Sequence, residues 1–253
     1  MKVFITGASS GLGAALAKEY GKSGSTLGLI ARRTNLLNQL ASQLPCETVV
    51  YPLDVSNTSA LQNAAENFIA RYGVPDIVIA NAGVSVGTLS EMQDDISVLQ
   101  KLLSVNVVAM SATFQPFIAA MRSRRRGALV GIASIAGFRG IPGAGAYSAS
   151  KAAAISYLES LRVEVHGSGV DVITVCPGYI ATPMTAVNPY AMPFIISAEE
   201  AGRRIANAVQ QRKKFYVLPW QMAFVSRIFR LLPNWLYDRL LSRAPHKPRG
   251  LSI

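Results

Sequence analysis

The sequence predicts an α/β protein: a single domain built on a doubly wound parallel sheet, with a helical extension at its C-terminal end. Three observations predict it. Short apolar runs alternate with helical patterns at intervals of a few tens of residues through residues 1–200. Those runs are apolar nearly throughout, as strands buried on both faces must be, rather than alternating apolar with polar. Composition agrees with a large packed core, since hydrophobic residues make up 50% of the 253 and charged ones 15%, with a mean hydropathy of +0.28. Disorder requires the opposite balance.

The elements follow in order. Residues 2–5 read as a strand, and the glycine-rich turn after it opens a helix over 11–23. A strand at 26–31 precedes a helix at 35–44, and a strand at 49–53 precedes a helix at 59–72. The run at 77–80 is a strand, followed by a long helical pattern over 96–122. Then come a strand at 128–133, a helix at 147–166 and a strand at 170–176. Ser197, Ala198, Glu199 and Glu200 have the S-x-x-E spacing of a capping box, opening a helix with Ala201, Ile205 and Ala208 on one face. Arg203, Arg204 and Arg212 are expected to point to solvent. The run 215–218 is a final strand, so the domain is expected to span 1–218 and the extension 219–253.

Net charge is +11, which in general suggests nucleic acid, a membrane surface or an anionic small molecule. Its distribution is uneven. Residues 1–200 carry 14 basic and 13 acidic side chains, whereas 201–253 carry 11 basic ones against Asp238 alone. The two cysteines, Cys46 and Cys176, are too few for a disulfide framework or a metal site, and Cys176 lies in an apolar run as a buried thiol would. The apolar stretch at 2–5 is far too short for a signal-peptide core. The longest charge-free stretch, 172–198, is broken by Pro177, Pro183, Pro189 and Pro193, so no spanning helix is expected there.

The loop after the first strand reads Thr6, Gly7, Ala8, Ser9, Ser10, Gly11, Leu12, Gly13. Its glycines permit a tight turn and close backbone approach, and the helix N-terminus behind it offers N–H groups to a pyrophosphate. The spacing is G-x-x-x-G-x-G rather than the common G-x-G-x-x-G. Further on stand Asn81, Ala82 and Gly83 after the fourth strand, and Asn106 within the long helix. Ser134 follows the fifth strand. Tyr147 and Lys151 open the next helix, and Pro177, Gly178 and Thr182 follow the sixth strand. In this order and spacing the set resembles the short-chain dehydrogenase/reductase family over residues 1 to about 210. One departure is Ala80, where the family often has a first Asn.

The cofactor can be read in part from residues. NAD binders place an acid near the end of the second strand to hold the ribose 2′-hydroxyl. Here that strand runs into Arg32 and Arg33. A guanidinium fork can bind a 2′-phosphate that an acid would repel, so NADP(H) is expected in preference to NAD(H). The resemblance implies that Asp54 and Val55 line an adenine pocket. It also implies that Asn81, Ala82 and Gly83 border the cofactor, and that Pro177, Gly178, Ile180 and Thr182 hold the nicotinamide end.

Tyr147 and Lys151, four apart, share one helix face. An unassisted phenol has a pKa of about 10. A neighbouring ammonium and the positive nicotinamide ring favour its phenolate, making proton exchange with a substrate oxygen feasible. By resemblance, Tyr147 is the general acid/base, while Lys151 lowers its pKa and binds the nicotinamide ribose. Ser134 hydrogen-bonds the substrate carbonyl or alcohol, and Asn106 holds a water that extends the proton relay. The reaction implied is hydride transfer between nicotinamide and a carbonyl carbon, with no metal.

A lid is expected at 184–196, with Val187, Tyr190, Met192, Phe194, Ile195 and Ile196; Phe138 and Ile141 flank the site opposite. These residues either contact a hydrophobic carbonyl or alcohol or simply pack the lid shut. In the extension, Phe224, Val225, Ile228, Phe229 and Leu232 have helical spacing, with Arg227 and Arg230 outside the stripe. A second short helix from Pro233 carries Trp235, Leu236, Leu240 and Leu241 beside Arg239 and Arg243. From Ala244 the chain reads as a frayed tail. Such helices suit an anionic membrane surface or packing on the domain or a sister subunit; nucleic acid is not expected. The chain is placed in the cytoplasm, free or peripherally attached to the cytoplasmic face of a membrane. By analogy with the family, a homodimer or homotetramer forms through the helices carrying Asn106 and Tyr147. The competing reading is a catalytically silent NADP(H)-binding sensor or scaffold of the same fold.

Overall fold

A computed structural model describes residues 1–250. The β-rich runs form strands β1 (Lys2–Thr6), β2 (Thr26–Ala31), β3 (Thr48–Pro52), β4 (Ile77–Ala80), β5 (Gly127–Ile132) and β6 (Val170–Pro177). Two short strands, β7 (Ile180–Ala181) and β8 (Ile196–Ser197), pair with each other, and β9 (Phe215–Leu218) completes the main sheet. The order is β3-β2-β1-β4-β5-β6-β9, with every pair parallel. Chain direction across the sheet reverses between β1 and β4, and the crevice at such a switch point is where α/β proteins bind ligands.

Helices cover both faces, which is why the strands could be uniformly apolar. On one face lie α1 (Gly11–Gly21) and α2 (Thr34–Gln43), burying Leu12, Leu16, Leu37 and Leu40. The other face carries α3 (Thr58–Tyr72), whose Phe68 meets Phe4 of β1 edge-on at 5.5 Å. It is followed by α4 (Asp95–Leu103), a π-helical turn (Ser104–Val108), α5 (Ala109–Ser123) and α6 (Gly145–Glu164). The single long helix expected over 96–122 is thus interrupted at Asn106. By length and composition the run Asp95–Ser123 could cross a membrane, but Met110, Phe114, Phe117 and Met121 are buried in the core beside the sheet.

After the one-turn helix α7 (Pro183–Ala186), α8 (Ala198–Gln210) returns to the first face. There Gly202 lies so close to α1 that a Cβ would stand 3.1 Å from the Ala15 backbone. Ser197 caps α8 by accepting from Glu200 N–H, but the Glu200 carboxylate turns to Arg204, so only half of the expected capping box forms. Arg204 is therefore paired, as is Arg212 with Asp171 at 3.3 Å.

The extension forms α9 (Trp220–Leu231) and α10 (Asn234–Leu241). Met222 and Ser226 face the body, whereas Trp220, Phe224, Ile228 and Leu231 form an outward apolar face. Arg139, from the loop after β5, donates to the Phe229 and Leu232 carbonyls and to Asn234, and stacks 3.9 Å from the Tyr237 ring. The expected frayed tail is a correction. Residues 246–249 pack on the body: Gly87 N–H donates to Pro248 O, Lys247 is buried, and Arg249 grips Asp95. Composition suggested fraying because Pro, Lys and Arg dominate there, yet Lys247, Pro248 and Arg249 each find a partner far away in sequence.

Candidate active site

The glycine-rich loop owes its shape to steric necessity. Gly7 and Gly11 have φ of +69° and +54°, which favour glycine. A Cβ on Gly13 would sit 2.2 Å from Gly7 O, and one on Gly7 2.7 Å from Ala82 Cα. Ser10 caps α1 with extended backbone (φ −165°) and makes no side-chain capping bond, so the first-turn N–H groups face the crevice. Beneath the loop, buried Thr6 stitches β1 to β4: its hydroxyl accepts from Asn81 and Ala82 N–H, both at 3.2 Å. Asn81 returns the tie by donating its amide to the carbonyls of Thr6 and Gly7 at 3.0 and 3.2 Å. Thr6 thus acts through the loop rather than on the crevice wall.

Beyond the loop, Arg33 donates to the Ser9 hydroxyl at 3.0 Å and to that of Ser10. Arg32 lies 3.7 Å from Asp54. Burial alone would raise the Asp54 pKa, but Ser56 N–H and hydroxyl bonds, with Lys101 and Arg32, hold it below the usual carboxylate range. The Gly-rich loop, Arg32, Arg33, Asp54, Val55, Asn81, Ala82 and Gly83 all line one cavity of about 290 Å³.

The same cavity reaches Ser134, Tyr147, Lys151, Pro177, Gly178, Ile180 and Thr182. Ser134 follows β5 and accepts from Ala136 N–H at 3.1 Å, which fixes its hydroxyl at the sheet's C-terminal edge. Lys151 is buried and donates to Ile132 O at 2.9 Å. Its Nζ lies 5.9 Å from the centre of the Tyr147 ring. Burial pushes the Tyr147 phenol up, the neighbouring Ser134 hydroxyl pulls it back, and burial brings Lys151 down to about 8. The sequence argument gave the ammonium the main influence on the phenol; in the protein alone desolvation is larger.

Asn106 is fully buried and does not line the cavity. Its Oδ1 accepts from Val84 N–H, and its Nδ2 donates to Val84 O and Ser150 Oγ, all within 2.9–3.0 Å. Its side-chain amide is therefore satisfied by the protein itself. Its amide is spent tying the strand-four loop to α6, so it positions Gly83 and Lys151, which a Cβ on Gly83 would approach to 3.5 Å. Thr182 and Thr185 bond each other's backbone as a capping box for α7.

Sequence reasoning missed several lining residues, among them Ala31, Leu53, Val84, Val105, Ile132, Ala133 and Pro183. Most are small or apolar and carry no chemical signature; their place at strand C-terminal ends was the available signal. Phe138 stacks on Phe215 at 6.0 Å and Tyr190 meets Tyr179 edge-on at 6.5 Å. Gly178 is pressed by α9: a Cβ there would stand 2.8 Å from Met222.

Residues 1–191 match the family model described as short chain dehydrogenase. The chain belongs to that family. It is an NAD(P)-dependent oxidoreductase acting on CH–OH and C=O groups. An uncharacterized oxidoreductase of Myxococcus xanthus is 36% identical over 242 residues, covering 94% of this chain and 95% of that protein. The ketoacyl reductase HetN of a Nostoc species is 32% identical over 212 residues, covering 82% of this chain and 73% of its own. Among solved structures, a short chain dehydrogenase/reductase from Burkholderia phymatum in complex with NAD superposes with a TM-score of 0.81. It is 23% identical, covers 99% of this chain and 98% of its own, and speaks to the fold.

Proposed function

We propose that the protein is an NADP(H)-preferring carbonyl reductase or alcohol dehydrogenase for a hydrophobic substrate. The observation that carries the cofactor preference is Arg33, whose guanidinium reaches the serine hydroxyls of the glycine-rich loop at the end of β2. A 2′-phosphate there would meet a fork of donors and the positive end of α1. The cradle fits a dinucleotide, because the first turn of α1 has no side-chain cap and its Gly11, Leu12 and Gly13 open on the cavity. When bound, the nicotinamide supplies or takes the hydride at the substrate carbon. Ser134 and Tyr147 hold the substrate oxygen, and Tyr147 gives its phenol proton as that oxygen gains charge in reduction. In oxidation the phenolate takes the proton back. Lys151, anchored on Ile132 O, keeps positive charge beside the phenolate. Pro177, Gly178, Ile180 and Thr182 border the nicotinamide end, while Asp54 and Val55 border adenine.

A panel of aliphatic, acyl and cyclic ketones and aldehydes, followed by NADPH absorbance, tests this reading. Turnover with NADPH exceeding that with NADH supports it. Tight NADPH binding without turnover of any carbonyl returns the sensor reading.

The extension supports peripheral attachment to anionic lipid. Trp220, Phe224 and Leu231 are 72%, 63% and 83% exposed on one helix face, with Arg227 beside it, and Trp235 and Leu240 are exposed on α10. Apolar side chains rimmed by arginine are the makeup of an interfacial helix. Flotation with phosphatidylserine vesicles should be lost when Trp220, Phe224 and Leu231 are all changed to Ser; equal flotation of both proteins would remove this reading. Assembly is proposed through the outer faces of the π-helical turn with α5 and of α6, where Val108 and Val163 are exposed, and sedimentation checks it.

A further inference from the structure

The tail from His246 to Arg249 packs on the loop that follows β4 and the loop that precedes α6. His246 packs on Gly143, where a Cβ would stand 2.4 Å from its ring. Gly143 precedes α6 and therefore Tyr147, and its carbonyl accepts from Thr88 N–H at 2.9 Å. Lys247 O lies so near Gly87 that a Cβ there would reach 2.0 Å. Lys247 Nζ then donates to Met184 O, 3.1 Å away, at the lid residue that lines the catalytic cavity. The tail thus touches the loop after β4, the loop before α6 that leads into Tyr147, and Met184 of the expected lid. Arg249 latches it with two bonds to Asp95, 2.8 and 3.2 Å, and Asp95 also accepts from Leu89 N–H.

Within this strap Lys247 is out of balance. It is 7% exposed, its one hydrogen-bond acceptor is a neutral carbonyl, and among the described residues no carboxylate lies within ion-pair distance. A buried ammonium without a counter-charge is costly, and burial brings its pKa down to about 8. The nearby carboxylate, Asp95, is already held by Arg249. The missing partner is an anion that arrives with the ligand. An ammonium in an apolar setting suits a singly charged carboxylate, because burying a doubly charged phosphate beside it costs more.

We propose that the C-terminal strap completes the substrate pocket and that Lys247 is its specificity residue, pairing with a carboxylate on an otherwise apolar carbonyl substrate. This rests on the reading of a hydrophobic carbonyl substrate and narrows it to oxo-acids or hydroxy-acids.

The test compares nonanoate with nonanol as unreactive probes, titrated calorimetrically into the full chain loaded with NADPH. Nonanoate should bind roughly ten- to hundredfold tighter than nonanol, the span of a hydrogen-bonded charge. Lys247→Met should bring the ratio to about one, and Lys247→Arg should keep most of it, which a purely structural role would not do. Arg249→Gln, which loosens the latch without touching the ammonium, should lower the ratio in the same direction. Equal ratios in wild type and Lys247→Met, or no binding of nonanoate, overturn the proposal. Turnover of ω-oxononanoate and nonanal separates the two readings. Lys247-dependent nonanoate binding without reduction of either aldehyde keeps the carboxylate pocket and defeats the carbonyl substrate. Reduction of nonanal with no preference for the acid does the reverse.

Discussion

The two halves of the cleft are built from different materials. The proposed cofactor half, over β1 to β3, is made of the glycine-rich turn, serine hydroxyls and Arg32 and Arg33, with Asn81 after β4 tied beneath it to Thr6. Its shape follows from three glycines and from Thr6 and Asn81, whose hydrogen bonds lock neighbouring strand ends. The proposed substrate half, over β4 to β9, draws on contacts between residues about 40 to 160 positions apart, with α9 pressing Gly178 and the tail bonded to Met184 and Gly87. The turn of the first half is set by local sterics, with positive φ at Gly7 and Gly11, and its long-range tie is the Thr6–Asn81 pair. The other is specified only by long-range contact, so it can differ between relatives without disturbing the first.

The sharpest break between them is Tyr147→Phe. It should lower kcat by about 10²–10⁴, the span of general acid–base catalysis, while NADPH affinity measured by fluorescence stays unchanged. Loss of both together would mean that the halves are not separable. Next, Arg33→Asp should weaken NADPH by roughly tenfold or more while leaving NADH nearly unaffected, because it removes a charged donor and adds repulsion. Comparable losses for both cofactors would assign Arg33 to the loop's architecture.

A third expectation concerns pH. Burial raises the Tyr147 phenol, so its protonated form persists above neutrality. Reduction, which needs that proton, should keep its kcat/KM into mildly alkaline buffer, whereas oxidation, which needs the phenolate, should climb as pH rises. Profiles in both directions check the sign, and a reduction rate that collapses above neutral pH would point to a different acid. The smallest effect is expected from Thr6→Val, which leaves the part-buried Ala82 N–H without its acceptor while Asn81 N–H keeps Ile79 O. It should cost about 1–3 kcal/mol, read as a lowered midpoint in urea, and loosen both cofactors equally.

How much was legible in the sequence follows the same division. The glycine-rich loop, Ser134, Tyr147 and Lys151 could be read directly, since chemistry at strand ends requires those residue types at that spacing, and the structure brings them to one cavity. Asn106 was legible as an anomaly, a polar residue among apolar neighbours, but its use was not: whether an amide faces a cleft or a backbone depends on what the fold places opposite. Here it faces Val84 and Ser150, across a π-helical turn that hydrophobic periodicity does not report.

The +10 carried by residues 201–253 shows the limit of composition. A sum of charges says nothing about which are paired. Folding gives Arg204 to Glu200, Arg212 to Asp171 and Arg249 to Asp95, buries Lys247, and leaves the arginines of α9 and α10 beside exposed apolar side chains. By itself the sequence determined the parallel sheet, the phosphate-binding turn and the Tyr147–Lys151 pair, because local periodicity and steric demand decide those. Only the tertiary structure decided that the tail is a strap and which cation it buries. Those contacts join residues some 60 to 160 positions apart, and no local rule connects them.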